Sequence, residues 1–172
     1  MRIYPCAVLP AYRAAIVTEV IIHFICRGNA FRSIIAEAYL NSLEFQNLKA
    51  ISSGTAAAVG RVRNRTAYTE TLGLLAKHSI REFAKMEYGD QLTPSRLAGT
   101  DVVVCMNQRV YDECQQLVSL PDTTHTWSVA DIGERGRVAH TERGKALYRE
   151  EAYQEIIEGI SRLVSEFHRA FG

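Results

Sequence analysis

Residues 21–33 have the sequence Ile-Ile-His-Phe-Ile-Cys-Arg-Gly-Asn-Ala-Phe-Arg-Ser and join two kinds of secondary structure. The apolar, β-branched first part is typical of a buried strand. Beyond this segment Ile35, Tyr39 and Leu43 recur at helical spacing, which predicts an amphipathic helix. The sequence therefore predicts a loop over residues 26–32, between the end of a strand and the start of a helix.

This loop has a cysteine at one end and an arginine at the other, with five residues between them. At a helix start the first backbone N–H groups have no partner, and the helix dipole adds about half a positive charge. Both effects favour an anion and increase the reactivity of a thiol. We therefore expect Cys26 to react as a thiolate, and Arg32 to bind two oxygens of one tetrahedral oxyanion. A thiol in such a loop is suited to phosphoryl transfer through a covalent intermediate.

The loop residues between these two ends fit the same interpretation. Gly28 permits backbone angles that other residues resist, and Asn29 tolerates left-handed geometry while its amide bonds the loop to itself. Ser33 can donate its hydroxyl to the sulfur of Cys26. A cysteine at the end of a buried strand is also a common core residue, but the full string C-x-G-N-x-x-R-S favours a phosphate site. The expected phosphate-binding residues are those of the loop: Arg27, Gly28, Asn29, Ala30, Phe31 and Arg32.

The segment Cys26–Ser33, followed by Ala36-Glu37, resembles the signature of low-molecular-weight protein tyrosine phosphatases. Three further segments resemble that family. Residues 51–55 are similar to its second-strand S-A-G-T, residues 101–106 to its third-strand D-l-i-l-x-M, and residues 127–131 to its W-x-I-x-D. The similarity extends from about Glu19 to the C-terminus. It implies hydrolysis of phosphate monoesters, with protein phosphotyrosine as the expected substrate.

The resemblance also implies a role for each matching residue. Cys26 is expected to be the nucleophile, Arg32 the phosphate clamp, Asn29 the organiser of the loop and Ser33 the group that stabilises the thiolate. Ser52, in the second-strand segment, is expected to support the loop. Inorganic phosphate and vanadate are expected inhibitors, and no metal or other cofactor is expected.

Asp131 matches the general acid of the family. The chemistry needs such an acid because the departing oxygen must be protonated, and the same carboxylate can then activate the water that hydrolyses the cysteinyl-phosphate. From its local sequence alone, Asp131 is equally well a cap or turn residue before Gly133. The resemblance favours the acid.

The sequence departs from the family pattern at several positions. Ile34 and Ile132 replace two prolines of the family pattern. The segment around Asp131, which we call the acid loop, is therefore expected to be less rigid. Phe31 replaces a second loop cysteine that, in many relatives, traps the oxidised nucleophile as a disulfide. The aromatic residues expected near Ala57 and directly after Asp131, which grip a phosphotyrosine ring, are missing. The resemblance therefore implies phosphate-ester chemistry more strongly than it implies phosphotyrosine.

Two alternatives remain open from the sequence. An arsenate reductase shares this fold and loop but relays oxidation through two further cysteines, for which Cys105 and Cys114 are candidates. Met106 occupies the position that matches the relay cysteine, which argues against this alternative. A phosphate-binding module without hydrolytic activity would explain the missing aromatic residues, but the loop contains every residue that the chemistry needs.

The composition is typical of a single compact domain: 172 residues, 47% hydrophobic, with a net charge of +1. This balance gives no broad electrostatic surface for nucleic acid or membrane. The four cysteines, at positions 6, 26, 105 and 114, lack metal-ligand spacing, and a nucleophilic Cys26 must stay reduced, which indicates the cytoplasm. No apolar run approaches the ~20 residues of a membrane span, and prolines at 5 and 10 interrupt any signal-peptide core.

Strands and helices alternate along the chain, and we predict strands near residues 20–26, 49–52, 101–106 and 124–127. The intervening helices are expected near residues 33–45, 65–78 and 108–118, with a long helix at the C-terminus. Such alternation predicts an α/β fold with a parallel sheet covered on both faces and a ligand site at the carboxyl ends of its strands. The resemblance implies a three-layer sandwich with four strands in the order 2-1-3-4. We expect an N-terminal extension over residues 1–18 and a phosphatase-like domain over residues 19–172.

Overall fold

The computed structural model describes residues 19–134 and 141–171. In those ranges the strands are β1 (Val20–Cys26), β2 (Leu48–Gly54), β3 (Val102–Cys105) and β4 (Thr124–Thr126). The helices are α1 (Arg32–Ser42), α2 (Arg61–Lys77), α3 (Pro94–Leu97), α4 (Gln108–Leu117) and α5 (Glu142–Phe171), with 3₁₀ turns at Arg81–Phe83 and Ile132–Glu134. The predicted extension over residues 1–18, which contains Cys6, lies outside the described residues.

The four strands form one parallel sheet in the order β2-β1-β3-β4, so the predicted topology is confirmed. Alternation along β1 places Ile22 and Phe24 on one face and His23 and Ile25 on the other. The first face packs in a core shared with α1, α2 and α5, and the second packs in a smaller core with α4. Helices therefore cover both faces of the sheet, as a three-layer sandwich requires.

Helix α5 is the long C-terminal helix expected from the sequence, and it packs along the larger core through an apolar stripe in which Ile156, Ile160 and Leu163 are buried. Gly159 lies on the same side of the helix. A Cβ atom at this position would lie 2.9 Å from ring atoms of Trp127. The absence of a side chain therefore lets the helix approach the indole closely, next to the segment that leads from β4 to Asp131.

The main difference from the predicted elements is the start of α2, at Arg61 instead of near Arg65. The helix begins directly after Gly60, without a side-chain cap. A start of this kind has no Ser, Thr, Asp or Asn to mark it in the sequence. The earlier start places the first turn of α2 beside the loop that follows β1.

Within the described ranges, no helix is both long enough and apolar enough to cross a membrane.

Candidate active site

Cys26 is the last residue of β1, and Arg32 is the first residue of α1. The Sγ atom of Cys26 lies 3.0 Å from Oγ of Ser33 and accepts the backbone N–H of Asn29 at 3.2 Å. Both partners are fully buried. The structure thus places two hydrogen-bonding groups at the sulfur, as expected for Ser33 from the sequence.

Asn29 lies at the tightest turn of the loop and has a left-handed backbone, with φ of +46°. Its side-chain amide donates to Oγ of Ser52 at 2.8 Å and to Oγ of Ser33 at 3.1 Å. Its side-chain oxygen accepts the ammonium of Lys85 at 2.8 Å and the backbone N–H of Asp90 at 2.9 Å. The side chain of Asn29 is therefore held from three other parts of the chain.

The five consecutive carbonyl groups of residues 26–30 all accept hydrogen bonds from outside the loop. In a trans peptide the C=O and the following N–H point in opposite directions. The N–H groups of residues 27–31 therefore point toward the inside of the loop, where they can bind an anion. The donors to the carbonyls of residues 26–30 are, in order, Thr55 N at 3.0 Å, Ala56 N at 2.9 Å, Asn64 Nδ2 at 2.9 Å, Gly89 N at 3.0 Å and Thr71 Oγ1 at 2.7 Å.

Gly54, at the end of β2, makes this arrangement possible. A Cβ atom at this position would lie 2.7 Å from the carbonyl oxygen of Arg27 and 2.8 Å from the backbone nitrogen of Asn29. Any side chain would displace the loop, because both contacts are with backbone atoms. The resemblance of residues 51–55 to the S-A-G-T segment thus has a steric reason at its glycine.

A partly buried cluster of charges lies beneath the loop, and its members come from distant parts of the sequence. Lys85 Nζ lies 2.9 Å from Asp90 and 3.8 Å from Glu37, and Asp90 also accepts Arg96 at 2.8 Å. Ser52 donates its hydroxyl to Glu37. Burial raises the pKa of the Glu37 carboxyl, and the charge of Lys85 acts against that shift. Lys85 and Asp90 were not predicted as part of the site, because no local spacing in the sequence marks them.

Arg32 is almost completely buried and connects the loop to the segment that follows β4. Its guanidinium donates to the carbonyl oxygen of Val129 at 2.8 Å and to the carboxylate of Asp131. Cys26, Arg32 and Asp131 line the same cleft, which has a volume of about 430 Å³. The structure therefore brings together the expected nucleophile, phosphate clamp and general acid.

The acid loop after β4 is held in place by several hydrogen bonds, although it lacks the proline that would restrict its backbone. Glu134 accepts the backbone N–H of Asp131 at 2.7 Å, while Oδ1 of Asp131 accepts the N–H of Gly133 at 3.2 Å, which resembles a helix capping box. Asn107 donates to both oxygens of Glu134 at 3.2 and 3.3 Å. Tyr148 donates its hydroxyl to the carbonyl of Ala130 at 3.3 Å. The pattern D-x-x-E at residues 131–134 was the available sequence signal for this bracing.

Two arginines stand at the edge of the cleft and share one carboxylate. Arg27 and Arg109 each donate Nε to the same oxygen of Glu113, at 3.2 Å in both cases. The other carboxylate oxygen of Glu113 accepts the hydroxyl of Thr55. Partial burial raises the pKa of Glu113, but the hydrogen bonds from Thr55 and Arg27 outweigh this effect and the net pKa is lowered. Glu113 is therefore an anion at neutral pH.

The aromatic groups of the cleft come from positions that the resemblance did not indicate. Ala57 is buried and Ile132 lines the cleft, so the expected aromatic walls are absent at both positions. Phe31 and Tyr148 line the cleft instead, with their ring centroids 5.5 Å apart.

Cys105 and Cys114 lie on the opposite side of the sheet from Cys26. Cys105 pairs in register with Ile25, so its side chain shares the face of Ile25. The sulfur atoms of Cys105 and Cys114 are 3.9 Å apart within the smaller core. Their hydrogen bond and burial strongly raise the pKa of Cys114. A relay from Cys26 to either thiol would have to pass through the sheet, which disfavours the arsenate reductase mechanism.

In the described ranges, no group of three or more His, Cys, Asp or Glu side chains is arranged to hold a metal ion. His23 is also outside the site. Its Nε2 lies 2.8 Å from Oγ of Ser53 inside the protein. Burial, together with the charges of Lys85 and Arg96, lowers the pKa of His23 to about 4. It is a neutral core residue, in agreement with the usual role of a histidine in a buried strand.

The fold is shared with several solved structures. YfkJ from Bacillus subtilis is 18% identical, with a TM-score of 0.65 and coverage of 90% of this chain and 98% of that chain. Wzb from Vibrio vulnificus, solved with benzylphosphonate, is 20% identical, with a TM-score of 0.66 and coverage of 86% of this chain and 99% of that chain. The Drosophila arginine phosphatase DARP is 18% identical, with a TM-score of 0.58 and coverage of 85% of this chain and 96% of that chain.

No match to the sequence is found among curated proteins. A family model described as low molecular weight phosphotyrosine protein phosphatase matches residues 21–171, which is most of the chain. The match includes the loop at Cys26, the cluster beneath it and the acid loop, and it confirms the resemblance stated from the sequence. This chain belongs to the low molecular weight phosphotyrosine protein phosphatase family.

Proposed function

We propose that this protein is a cysteine-dependent phosphatase that hydrolyses phosphate monoesters, with protein phosphotyrosine as the expected substrate. The observation that carries this proposal is the outward hydrogen bonding of the carbonyls of residues 26–30, which turns the following N–H groups toward the inside of the loop, beside the sulfur of Cys26. A cradle of N–H groups beside a thiol and a buried guanidinium suits a phosphate dianion under nucleophilic attack.

In the first step the phosphate binds the loop N–H groups and Arg32. It thereby competes with Asp131 for the guanidinium and frees the carboxylate, which takes up a proton from solvent and faces the leaving oxygen. The sulfur of Cys26 attacks phosphorus, the bond from phosphorus to the ester oxygen breaks, and Asp131 transfers its proton to that oxygen. The product is a cysteinyl-phosphate and an alcohol or phenol.

In the second step Asp131, now a carboxylate, takes a proton from water as the water oxygen attacks phosphorus. The bond from phosphorus to sulfur breaks, and inorganic phosphate leaves. The electron pair returns to the sulfur of Cys26, where the hydroxyl of Ser33 and the N–H of Asn29 stabilise the thiolate. Inorganic phosphate and vanadate should therefore act as competitive inhibitors.

The test measures hydrolysis of a phosphate ester and binding of an oxyanion by the variants Cys26→Ser and Arg32→Lys. The Cys26→Ser variant should lose turnover but retain binding of phosphate, vanadate or sulfate, because the N–H groups and Arg32 remain. Arg32→Lys should be severely impaired, since an ammonium does not reproduce the planar fork. Appreciable hydrolysis by Cys26→Ser would remove Cys26 from its proposed role.

A panel of phosphorylated compounds identifies the preferred substrate. It contains an aryl phosphate and peptides with phosphotyrosine, phosphoserine or phosphoarginine, the last because several similar structures are arginine phosphatases. Sugar phosphates and an arsenate-reduction assay complete the panel. We place the reaction in the cytoplasm, where Cys26 stays reduced. Binding of all phosphorylated compounds without hydrolysis would instead support a phosphate-binding module.

A further inference from the structure

The paired arginines at the edge of the cleft are not explained by binding of a single phosphate group. Arg27 and Arg109 each use one Nε–H for Glu113, and about half of each side chain is exposed. A guanidinium has five N–H groups, of which four lie on its two terminal nitrogens. Among the described residues, no hydrogen bond engages these terminal nitrogens of either arginine.

Their anchor, Glu113, is linked by hydrogen bonds to the backbone of the residue that carries the reacting sulfur. Thr55 donates its backbone N–H to the carbonyl of Cys26 at 3.0 Å, and its hydroxyl bonds Glu113. One residue therefore connects the nucleophile to the carboxylate that holds both arginines. Arg27 is also the residue directly after Cys26, and both arginines line the same cleft as the sulfur.

The charges at this edge do not cancel. Two guanidinium groups share one carboxylate, so the three side chains of Arg27, Arg109 and Glu113 together have a net positive charge. Glu134, the nearby carboxylate of the acid loop, hydrogen-bonds Asn107 and the N–H of Asp131 and forms no ion pair with Arg27 or Arg109 within the described ranges. Because Glu113 already orients both side chains, a ligand that binds them loses less conformational freedom than with mobile arginines.

We propose that Arg27 and Arg109 bind a second anionic group on the leaving-group side of the substrate. This inference rests on the proposed function and deepens it, since it defines the preferred substrate as a phosphate ester that carries a carboxylate or another phosphate near the reacting phosphate. An acidic residue beside a phosphorylated residue, or an anionic substituent on a small ester, supplies the same chemistry.

The first test compares matched substrates that differ by one charge. One pair is carboxyphenyl phosphate against carbamoylphenyl phosphate, and the other is a phosphotyrosine peptide with Glu or Gln beside the phosphorylated residue. We expect kcat/KM to favour the anionic member by about fivefold at low salt, mainly through KM, with a smaller ratio at high salt. A preference in only one pair identifies the source of the anion. A ratio of one or less in both pairs overturns the inference.

The second test assigns the preference to the arginine pair. Arg109→Gln should reduce the ratio toward one, whereas Arg162→Gln, an exposed charge on α5 outside the cleft, should leave it unchanged. A ratio within one variant is independent of how much of the protein is folded. Equal reductions by the two variants would indicate a general effect of net charge and would contradict a specific site.

A third measurement separates this inference from the proposed function. The affinities of the matched substrates for Cys26→Ser, measured by calorimetry, report the preference for the anionic member without any turnover. If the intact protein hydrolyses none of the esters, the proposed function is wrong, while the affinity ratio still decides whether the second anion site exists.

Discussion

The ammonium of Lys85 lies 2.8 Å from the side-chain oxygen of Asn29, a residue 56 positions earlier in the chain. The same ammonium donates to the carbonyl of Ser52 at 3.1 Å and to Asp90 at 2.9 Å. Asn29 has the left-handed backbone of the loop turn, a conformation that costs free energy outside glycine. The loop geometry therefore depends on a cation from the segment between α2 and α3.

Replacement of Lys85 by methionine should impair both the loop and the fold. The side chain keeps most of its length but leaves Asp90 and Glu37 without their shared cation. We expect a loss of about 2 kcal/mol in the free energy of unfolding and a fall in kcat of about tenfold or more, since small displacements of reacting groups are costly. Urea unfolding and steady-state kinetics measure the two effects.

Arg96→Gln is the matched control for Lys85→Met. It removes another cation from Asp90, but one that is half exposed and makes no contact with Asn29. Its effect on kcat should be small. If Lys85→Met lowers stability while kcat stays at the level of the original protein, Lys85 supports the fold without positioning Asn29.

Asp131→Asn should remove the proton donor while its contact with Arg32 is partly retained. The rate should fall about 10²- to 10⁴-fold for esters with poor leaving groups, the usual range for general acid catalysis. An activated aryl ester should lose less, because its leaving oxygen needs no proton. The measurement is kcat across a series of aryl phosphates of increasing leaving-group pKa. Equal losses across the series would mean that Asp131 only holds the loop.

Glu134→Ala should show the same dependence on the leaving group in a weaker form. The variant loses the hydrogen bond from the N–H of Asp131 and the brace from Asn107, so the carboxyl of Asp131 is less often in position. We expect a loss of about tenfold for poor leaving groups and partial rescue in Glu134→Gln, whose side-chain oxygen can still accept that N–H. A uniform loss over all leaving groups would assign Glu134 to folding alone.

The position of the phosphate loop could be predicted because it follows from a local pattern, whereas the order of the strands was implied by the resemblance to the family. A buried strand, a glycine-containing loop and an amphipathic helix are adjacent in the sequence, and their spacing alone places Cys26 and Arg32 at the carboxyl end of a strand. The bracing of the acid loop by Glu134 was also visible as D-x-x-E, although it was not predicted.

The support of the loop could not be predicted in this way. The contact between Lys85 and Asn29 and the contact between Arg27 and Glu113 join residues 56 and 86 positions apart. No periodicity connects such pairs, and a charged residue in a polar segment has the same appearance whether it is solvated or buried against a partner. The sequence also gives no sign that Tyr148 of α5 lines the cleft, because its position relative to the other apolar residues of the helix is that of a core residue.

His23 should make the stability of the protein depend on pH. Its pKa in the folded protein is about 4, below the ordinary value of 6.5, because it is buried as the neutral form. The stability it contributes is complete above pH 6.5 and is lost as the pH falls toward 4, since the unfolded chain takes up the proton first. The loss reaches about 3 kcal/mol.

The variant His23→Gln isolates this effect from the titration of other groups. The difference in unfolding free energy between the original protein and the variant should shrink by about 1.4 kcal/mol per pH unit below pH 6.5. Urea unfolding at pH 7, 6 and 5 measures it. A difference that stays constant with pH would show that His23 is accessible to protons in the folded state.

Oxidation of Cys26 should be poorly reversible. A reactive thiolate is oxidised by peroxide to a sulfenic acid, and only a nearby thiol can convert that species to a disulfide before further oxidation. Phe31 replaces the loop cysteine of many relatives, and Cys105 and Cys114 belong to the core on the other face of the sheet. We expect inactivation by peroxide with little recovery on thiol treatment, and protection by bound phosphate.

Mass spectrometry after brief oxidation should find sulfinic or sulfonic acid at Cys26, in a Cys6→Ser background that removes the thiol of the N-terminal segment. The matched variant Phe31→Cys restores a thiol to the loop and should regain most of its activity after reduction, because the sulfenic acid then condenses with its neighbour. A dominant disulfide between Cys26 and Cys105 or Cys114 in the Cys6→Ser protein would contradict the separation of these thiols by the sheet and would favour the reductase mechanism. The comparison of Cys6→Ser with Cys6→Ser/Phe31→Cys therefore tests whether one loop position determines the fate of the oxidised nucleophile.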